Sequence, residues 1–187
     1  MSSSDATELV LPPWAVTRPV RRGHILRVMK LVGEWADTMG VSAEEKHRWQ
    51  EAARLHDALR DATPAQLRPH VAPEFADWPE PVLHGPAAAG RLRAEGCTDE
   101  SLLNAITYHT IGHPELDNTG RMLFLADFLE PGRTFDPVGR AAWRARMPHD
   151  LTAVLREVLA ARIQHILSSH RPLRRETLAF WNQVATS

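Results

Sequence analysis

Residues 107–133 read TYHTIGHPELDNTGRMLFLADFLEPGR. A helix closes at His109, a loop covers 111–119, and a second helix spans Gly120–Leu129 before Pro131 and Gly132 break it. The run MLFLADFL reads as buried, yet it holds one carboxylate, Asp127. The preceding segment holds two histidines four apart, His109 and His113. An ionised carboxylate does not enter an apolar interior unpaired, because desolvation costs several kcal/mol. Asp127 therefore asks for a compensating cation, and a bound metal ion offsets that cost.

Helical grammar continues on both sides of this stretch. Ile25, Val28, Met29, Val32 and Trp35 recur at helical spacing from Arg21, and Gly40 stops them. Ser42 and Glu45 have the spacing of a capping box opening a second helix, expected to reach about Leu59. Residues 61–81 carry Pro64, Pro69, Pro73, Pro79 and Pro81 and read as a long loop with at most short helical turns. A third helix is expected over about Pro86–Glu95, closed by Gly96, and a fourth from the TDES stretch (98–101) to His109. A sixth spans Pro137–Ala145, and the longest is expected over Asp150–Ser168, with Leu151, Val154, Leu155, Val158, Leu159, Ile163, Ile166 and Leu167 on its apolar side. A last helix follows Pro172. No run alternates as a strand does, so the fold class is all-α. Residues 1–19, Ser-rich then Pro-rich, read as an N-terminal tail, and 20–187 as a single domain.

Composition narrows the function. The 187 residues are 43% hydrophobic and 24% charged, with a net charge of -1, which argues against a nucleic-acid polymer as partner. Local clusters, Arg18 with Arg21 and Arg22, and Arg171 with Arg174 and Arg175, can still meet phosphates. No apolar run approaches the ~20 residues needed to span a bilayer, and the start of the chain lacks the pattern of a secretory signal. With one cysteine, Cys97, no internal disulfide is possible, and a reducing cytoplasm is the simple location.

Six ionisable residues stand in apolar surroundings or at helix ends: His24, the adjacent pair His56 and Asp57, His84, His109 and Asp127. Taken singly, each reads more readily as a hydrogen-bonded structural residue. A second His-Asp pair, His149 and Asp150, reads as a helix cap. Neighbours on a helix point ~100° apart, so His56 and Asp57 cannot share a narrow stripe but can border one cavity. A carboxylate has two oxygens and can bridge two metals, whereas an imidazole serves one. Such a set suits a centre of two metals about 3.5–4 Å apart, which can bind a phosphate and generate hydroxide. Imidazole with carboxylate suits Fe, Mn, Co, Ni or Zn.

The ordered set, with LHD (55–57), LHGPAAA (83–89), AITYHTIG (105–112), LFLADFLEPGR (123–133) and TLAFWN (177–182), resembles the HD-domain superfamily of metal-dependent phosphohydrolases. Within it the chain looks like the YqeK family, symmetrical diadenosine tetraphosphate hydrolases of bacteria. The resemblance implies a single-domain helical bundle holding a di-iron centre. His24, His56, Asp57 and Asp127 would hold one metal, and Asp57 would bridge to a second held by His84 and His109. The implied reaction cleaves diadenosine tetraphosphate to two ADP. Asp57, Arg60 and Arg133 are the catalytic candidates, and Arg60, Thr110, His113 and Arg133 the substrate contacts. Arg133 has a rival role as a partner of Glu130. Trp78 and Phe135 are candidates to pack against adenine.

The chain departs from the family pattern where Arg60 replaces a usual lysine, His113 a usual arginine, and Arg121 a usual lysine. Alternative readings are an HD phosphohydrolase acting on nucleoside monophosphates, dNTPs or guanosine tetraphosphate, and a non-catalytic nucleotide-binding bundle. The expected partner is a small nucleotide, with a homodimer left open.

Overall fold

The computed structural model describes residues 9–186. Among the described residues nine α-helices run in the order α1 (Pro19–Met39), α2 (Ala43–Leu55), α3 (Pro64–Leu67), α4 (His84–Ala94), α5 (Glu100–Tyr108), α6 (Asn118–Leu129), α7 (Pro137–Arg146), α8 (Leu151–Ser168) and α9 (Arg175–Ala185). No strand occurs among the described residues, and the chain is all-α.

Local chemistry sets most boundaries. Pro19 opens α1, where a missing N–H costs nothing, and Gly40 ends it in the left-handed region at φ 65°. Asp99, Asp117 and Asp136 each accept a backbone N–H of the first turn of α5, α6 and α7. Ser42 accepts from Glu45 N, so the half of the expected capping box that the structure shows at α2 is the Ser42 one. The box with both halves present lies at Thr63 and Gln66, opening the one-turn α3. Asp150 precedes α8 but its side chain does not cap it; the carboxylate pairs with Arg146 instead. The longest helix is α1, with 21 residues against 18 for α8.

The second helix stops at Leu55, four residues before its expected end. Beyond it the chain tightens into successive turns, with Ala58 N on Leu55 O, Arg60 N on Asp57 O and Ala62 N on Leu59 O. The upstream strap competes for this segment: Val16 N donates to Ala58 O and Asp61 N to Val16 O. Residues 9–18 thus lie on the bundle, with Leu9 buried and Arg18 paired to Asp61.

Helix α6 is the central post. It packs on α1, α2, α5, α7 and α8, and Met122 through Asp127 are all buried, as expected of a helix that is apolar nearly all round. One core gathers Val28, Val32, Trp35, Trp49, Phe124, Leu155, Val158 and Phe180 between α1, α2, α6, α8 and α9. A second gathers Leu55, Leu59, Trp78, Leu83, Leu103 and Ile106 around α4 and α5. The six candidate ligands sit where these two cores meet.

Candidate metal centre

The structure brings His24, His56, Asp57, His84, His109 and Asp127 together, all buried. His24 comes from α1, His56 and Asp57 from the end of α2, His84 from the start of α4, His109 from the end of α5 and Asp127 from α6. Asp57 is the hub. Its Oδ2 lies 3.6 Å from both His24 Nε2 and His56 Nε2. Its Oδ1 lies 3.2 Å from His84 Nε2 and 3.6 Å from His109 Nε2. Asp127 Oδ1 adds to the first group at 3.1 Å from His24 Nε2. Two sets can each hold a metal ion, His24–His56–Asp57 and Asp57–His84–His109, and they share the aspartate.

Hydrogen bonding fixes which nitrogen of each ring faces inward. His56 Nδ1 lies 2.7 Å from Ala53 O, His84 Nδ1 3.2 Å from Pro81 O, and His109 Nδ1 2.7 Å from Ile106 O. Carbonyls only accept, so each Nδ1 carries the proton and each Nε2 presents a lone pair. His24 Nδ1 faces Glu130 Oε1 at 3.2 Å, the carboxylate–histidine arrangement that orients metal ligands. The inward nitrogens then approach in pairs, His24 with His56 at 3.3 Å and His84 with His109 at 3.1 Å. Lone pairs facing lone pairs and carboxylate oxygens repel unless a cation lies among them. The donor set, imidazole with carboxylate, fits a first-row transition metal.

The shifts at His56, His84, Asp57 and Asp127 favour the ligating forms, and that at His24 runs the other way. Burial holds His56 neutral, lowering its pKa to about 4, and burial also lowers His84. At His24 burial is outweighed by the hydrogen bonds to Asp127 and Glu130 and by the Asp127 and Asp57 charges, so its pKa rises. Burial alone would raise Asp57, but His56, His109 and His84 hold it well below the usual carboxylate range. Asp127 is likewise held down, against burial, by His24 and Arg133.

Four of the six, Asp57, His84, His109 and Asp127, line a cavity of about 480 Å³, and His24 and His56 lie behind them. Five arginines line it, Arg21, Arg60, Arg133, Arg140 and Arg162, against the aspartates Asp57, Asp127 and Asp136, so it favours an anionic guest. Thr110 Oγ1 stands 3.0 Å from His109 Nε2, and Arg60 also lines the wall. Arg133 donates to both Asp127 Oδ1 and Asp127 O, a pairing the sequence did not suggest, and lies 3.8 Å from Glu130, so the expected Glu130 pairing occurs beside it. Phe135 lines the mouth and is exposed.

His113 is placed elsewhere. Gly112 takes φ 75° and turns the chain, so His113 stacks on Tyr108 at 4.2 Å and lines a separate hollow with Trp78. Neither His113 nor Trp78 lines the cavity that Asp57, His84 and His109 border. Arg21, which donates to Asp57 Oδ2 at 2.6 Å, was visible in the sequence only as one of a basic cluster. Glu130, Arg140 and Arg162 were not singled out as site residues. Arg162 carried a usable signal, since it falls four residues after Val158 on the apolar stripe of α8.

Gly85 lets the second histidine pair form. A Cβ there would stand 2.6 Å from Ile106 O and 2.9 Å from Thr107 O, so α4 rests directly on the end of α5. Gly85→Ala is expected to cost about 1–3 kcal/mol through overpacking and to separate His84 from His109. Metal content should fall from two equivalents towards one, because His24 and His56 sit on other elements. Urea unfolding with elemental analysis checks this; unchanged stability and two retained equivalents would refute it.

This constellation in an all-α bundle defines a class: residues 21–132 match the HD domain family profile, and the chain belongs to the HD domain family. It is an HD-domain hydrolase. Among its relatives is the symmetrical bis(5'-nucleosyl)-tetraphosphatase of Halalkalibacterium halodurans, 28% identical over 190 aligned positions, covering 98% of this chain and 97% of that one. The protein of the same name from Bacillus subtilis is 26% identical over 169 positions, covering 87% and 88%. A crystal structure described as a predicted HD superfamily hydrolase involved in NAD metabolism, from Clostridium acetobutylicum, superposes with a TM-score of 0.76 at 24% identity, over 90% of each chain. No helix of the described residues is long and apolar enough to cross a membrane.

Proposed function

We propose that this protein hydrolyses dinucleoside tetraphosphates, diadenosine tetraphosphate foremost, symmetrically to two nucleoside diphosphates. The observation that carries the reading is Asp57, which lines an arginine-rich cavity and whose two oxygens face two separate histidine pairs. The names of relatives matched over nearly the whole chain support the substrate.

His24, His56, Asp57 and Asp127 would hold one metal and Asp57, His84 and His109 the other, with iron first and Mn, Co, Ni or Zn as alternatives. The ions supply positive charge that makes water acidic enough to ionise near neutral pH. Water attacks a central phosphorus in line with the leaving phosphate; one P–O bond forms and the anhydride P–O bond breaks. Arg21 and the histidines hold Asp57 in its bridging pose. Arg60 and Arg133, on the cavity wall, meet the phosphate oxygens as charge builds on them, and Thr110 offers a hydroxyl. The single cysteine, Cys97, fits a reducing cytoplasm.

The test is incubation of protein purified without chelators with diadenosine tetraphosphate, followed by chromatography and elemental analysis. Two ADP per substrate and two metal equivalents are expected. ATP with AMP, or no cleavage in the presence of added iron or manganese, would overturn the reading.

A further inference from the structure

The wall of the cavity holds two guanidinium groups that the candidate ligand set does not use. Arg140, on α7, is 6% exposed. Its Nε donates to Phe135 O at 2.6 Å and its guanidinium carbon lies 3.9 Å from the centre of the Phe128 ring. Its Nη1 is buried with no hydrogen-bond partner. Arg162, on α8, donates to Thr110 O and sits over Phe124 and Phe128 at 4.8 Å and 5.4 Å. Among the described residues neither arginine makes an ion pair, and both line the cavity. Burial works against both charges, and Arg133 repels both. Asp136 favours the Arg140 charge, and Asp127 favours both. Two unpaired cations held in an apolar wall, beside a third, are a standing cost unless a polyanion enters.

We infer that Arg140 and Arg162, seated on the ring of Phe128, form an anion subsite for a phosphate next to the one at the metal floor, so that the cavity selects a chain of phosphates over a single one. The inference rests on the reading of the site as a phosphoanhydride hydrolase and deepens it. A guanidinium fork grips phosphate through two parallel N–H donors, and the buried Nη1 of Arg140 has no protein acceptor to satisfy it. The ring face of Phe128 bears the cation without neutralising it. A nucleoside monophosphate offers one phosphate and leaves this subsite empty; a tetraphosphate bridge reaches it.

The experiment is calorimetric titration of the metal-loaded protein with ADP, AMP and inorganic phosphate, on the wild type and Arg140→Gln. Loss of a charge-assisted pair predicts roughly tenfold or more weaker ADP binding in the variant, with inorganic phosphate and AMP changed less than twofold. Unchanged ADP binding, or an equal loss for all three ligands, would overturn the subsite. Phe135→Glu supplies a second variant if Arg140→Gln does not fold. Phe135 is 71% exposed at the same wall, so a carboxylate there perturbs charge without opening the core, and the same selective loss is expected. The two readings fail separately. Arg140-dependent ADP binding without cleavage of diadenosine tetraphosphate sinks the reaction and keeps the subsite; cleavage with Arg140-indifferent ADP binding does the reverse.

Discussion

Asp57→Ala is expected to leave a folded helical bundle that retains neither metal ion and turns over at least about a thousandfold more slowly, since the ions supply the charge that ionises water. The size of the effect follows from the position of one carboxylate between two histidine pairs. Its Oδ2 serves His24 and His56, and its Oδ1 serves His84 and His109. Removing any one histidine spares the other set, whereas removing Asp57 takes an oxygen from both at once. The fold should survive, because Asp57 contributes little apolar contact and the surrounding α2, α4 and α5 pack through Leu55, Leu83, Leu103 and Ile106. Arg21 loses its partner but is partly exposed and can turn to water. Asp57→Asn provides a shape control. Its amide can present an oxygen to one pair only, since the NH2 directed at the other pair would donate to a lone pair that should bind metal. Elemental analysis, turnover and far-ultraviolet circular dichroism read the three parts of the prediction. A variant that keeps two metal equivalents and wild-type turnover would end the shared-carboxylate account.

The sequence carried the metal set because charge inside apolar helices is costly, and that cost is visible without coordinates: Asp127 in MLFLADFL is the plainest case. Arg162 obeys the same logic on α8, where it interrupts an apolar stripe. Helix starts were legible where a capping aspartate or a proline does the work, as in the TDES stretch, where Asp99 caps α5, and at Pro137; at α6 the cap Asp117 was read as loop and the start set at Gly120. Ends fixed by tertiary contacts were not. Ala58 and Leu59 have no local reason to leave the helix; Val16, from a segment 42 residues upstream of Ala58, takes Ala58 O and Asp61 N instead. His113 entered as a substrate-contact candidate through the family resemblance; Gly112 at φ 75° turns the chain and sets its ring on Tyr108, beside a separate hollow. Arg140 left no sequence signal, since its neighbours on the cavity wall come from Phe128 and Arg162, on two other helices.

Glu130→Gln is expected to weaken metal retention and turnover by about 10–100-fold, the usual consequence of losing the group that orients a ligating imidazole, and to cost about 1–3 kcal/mol of stability. Glu130 is 2% exposed and touches no cavity surface. One oxygen takes the His24 Nδ1 proton, and the other takes Arg27 Nε and, at 2.6 Å, the Gly132 N–H. Burial would raise its pKa, but these donors lower it to about 2, so it stays a carboxylate with every lone pair facing a donor. An amide cannot satisfy that arrangement in either orientation. With its NH2 towards Gly132 and Arg27, three donors crowd together and the EPGR turn loosens. With its NH2 towards His24, the ring must give up its Nδ1 proton or move; the proton then shifts to Nε2, the atom that should bind metal. The stability part of the effect is limited by Arg27, whose side chain is 40% exposed and can pair with water. Competition against a chelator separates the roles: loss of one metal ahead of the other, with helix content unchanged, assigns Glu130 to positioning His24. A variant that holds both metals as firmly as the wild type, while unfolding at lower urea, would make the carboxylate an anchor for the 130–133 turn and nothing more.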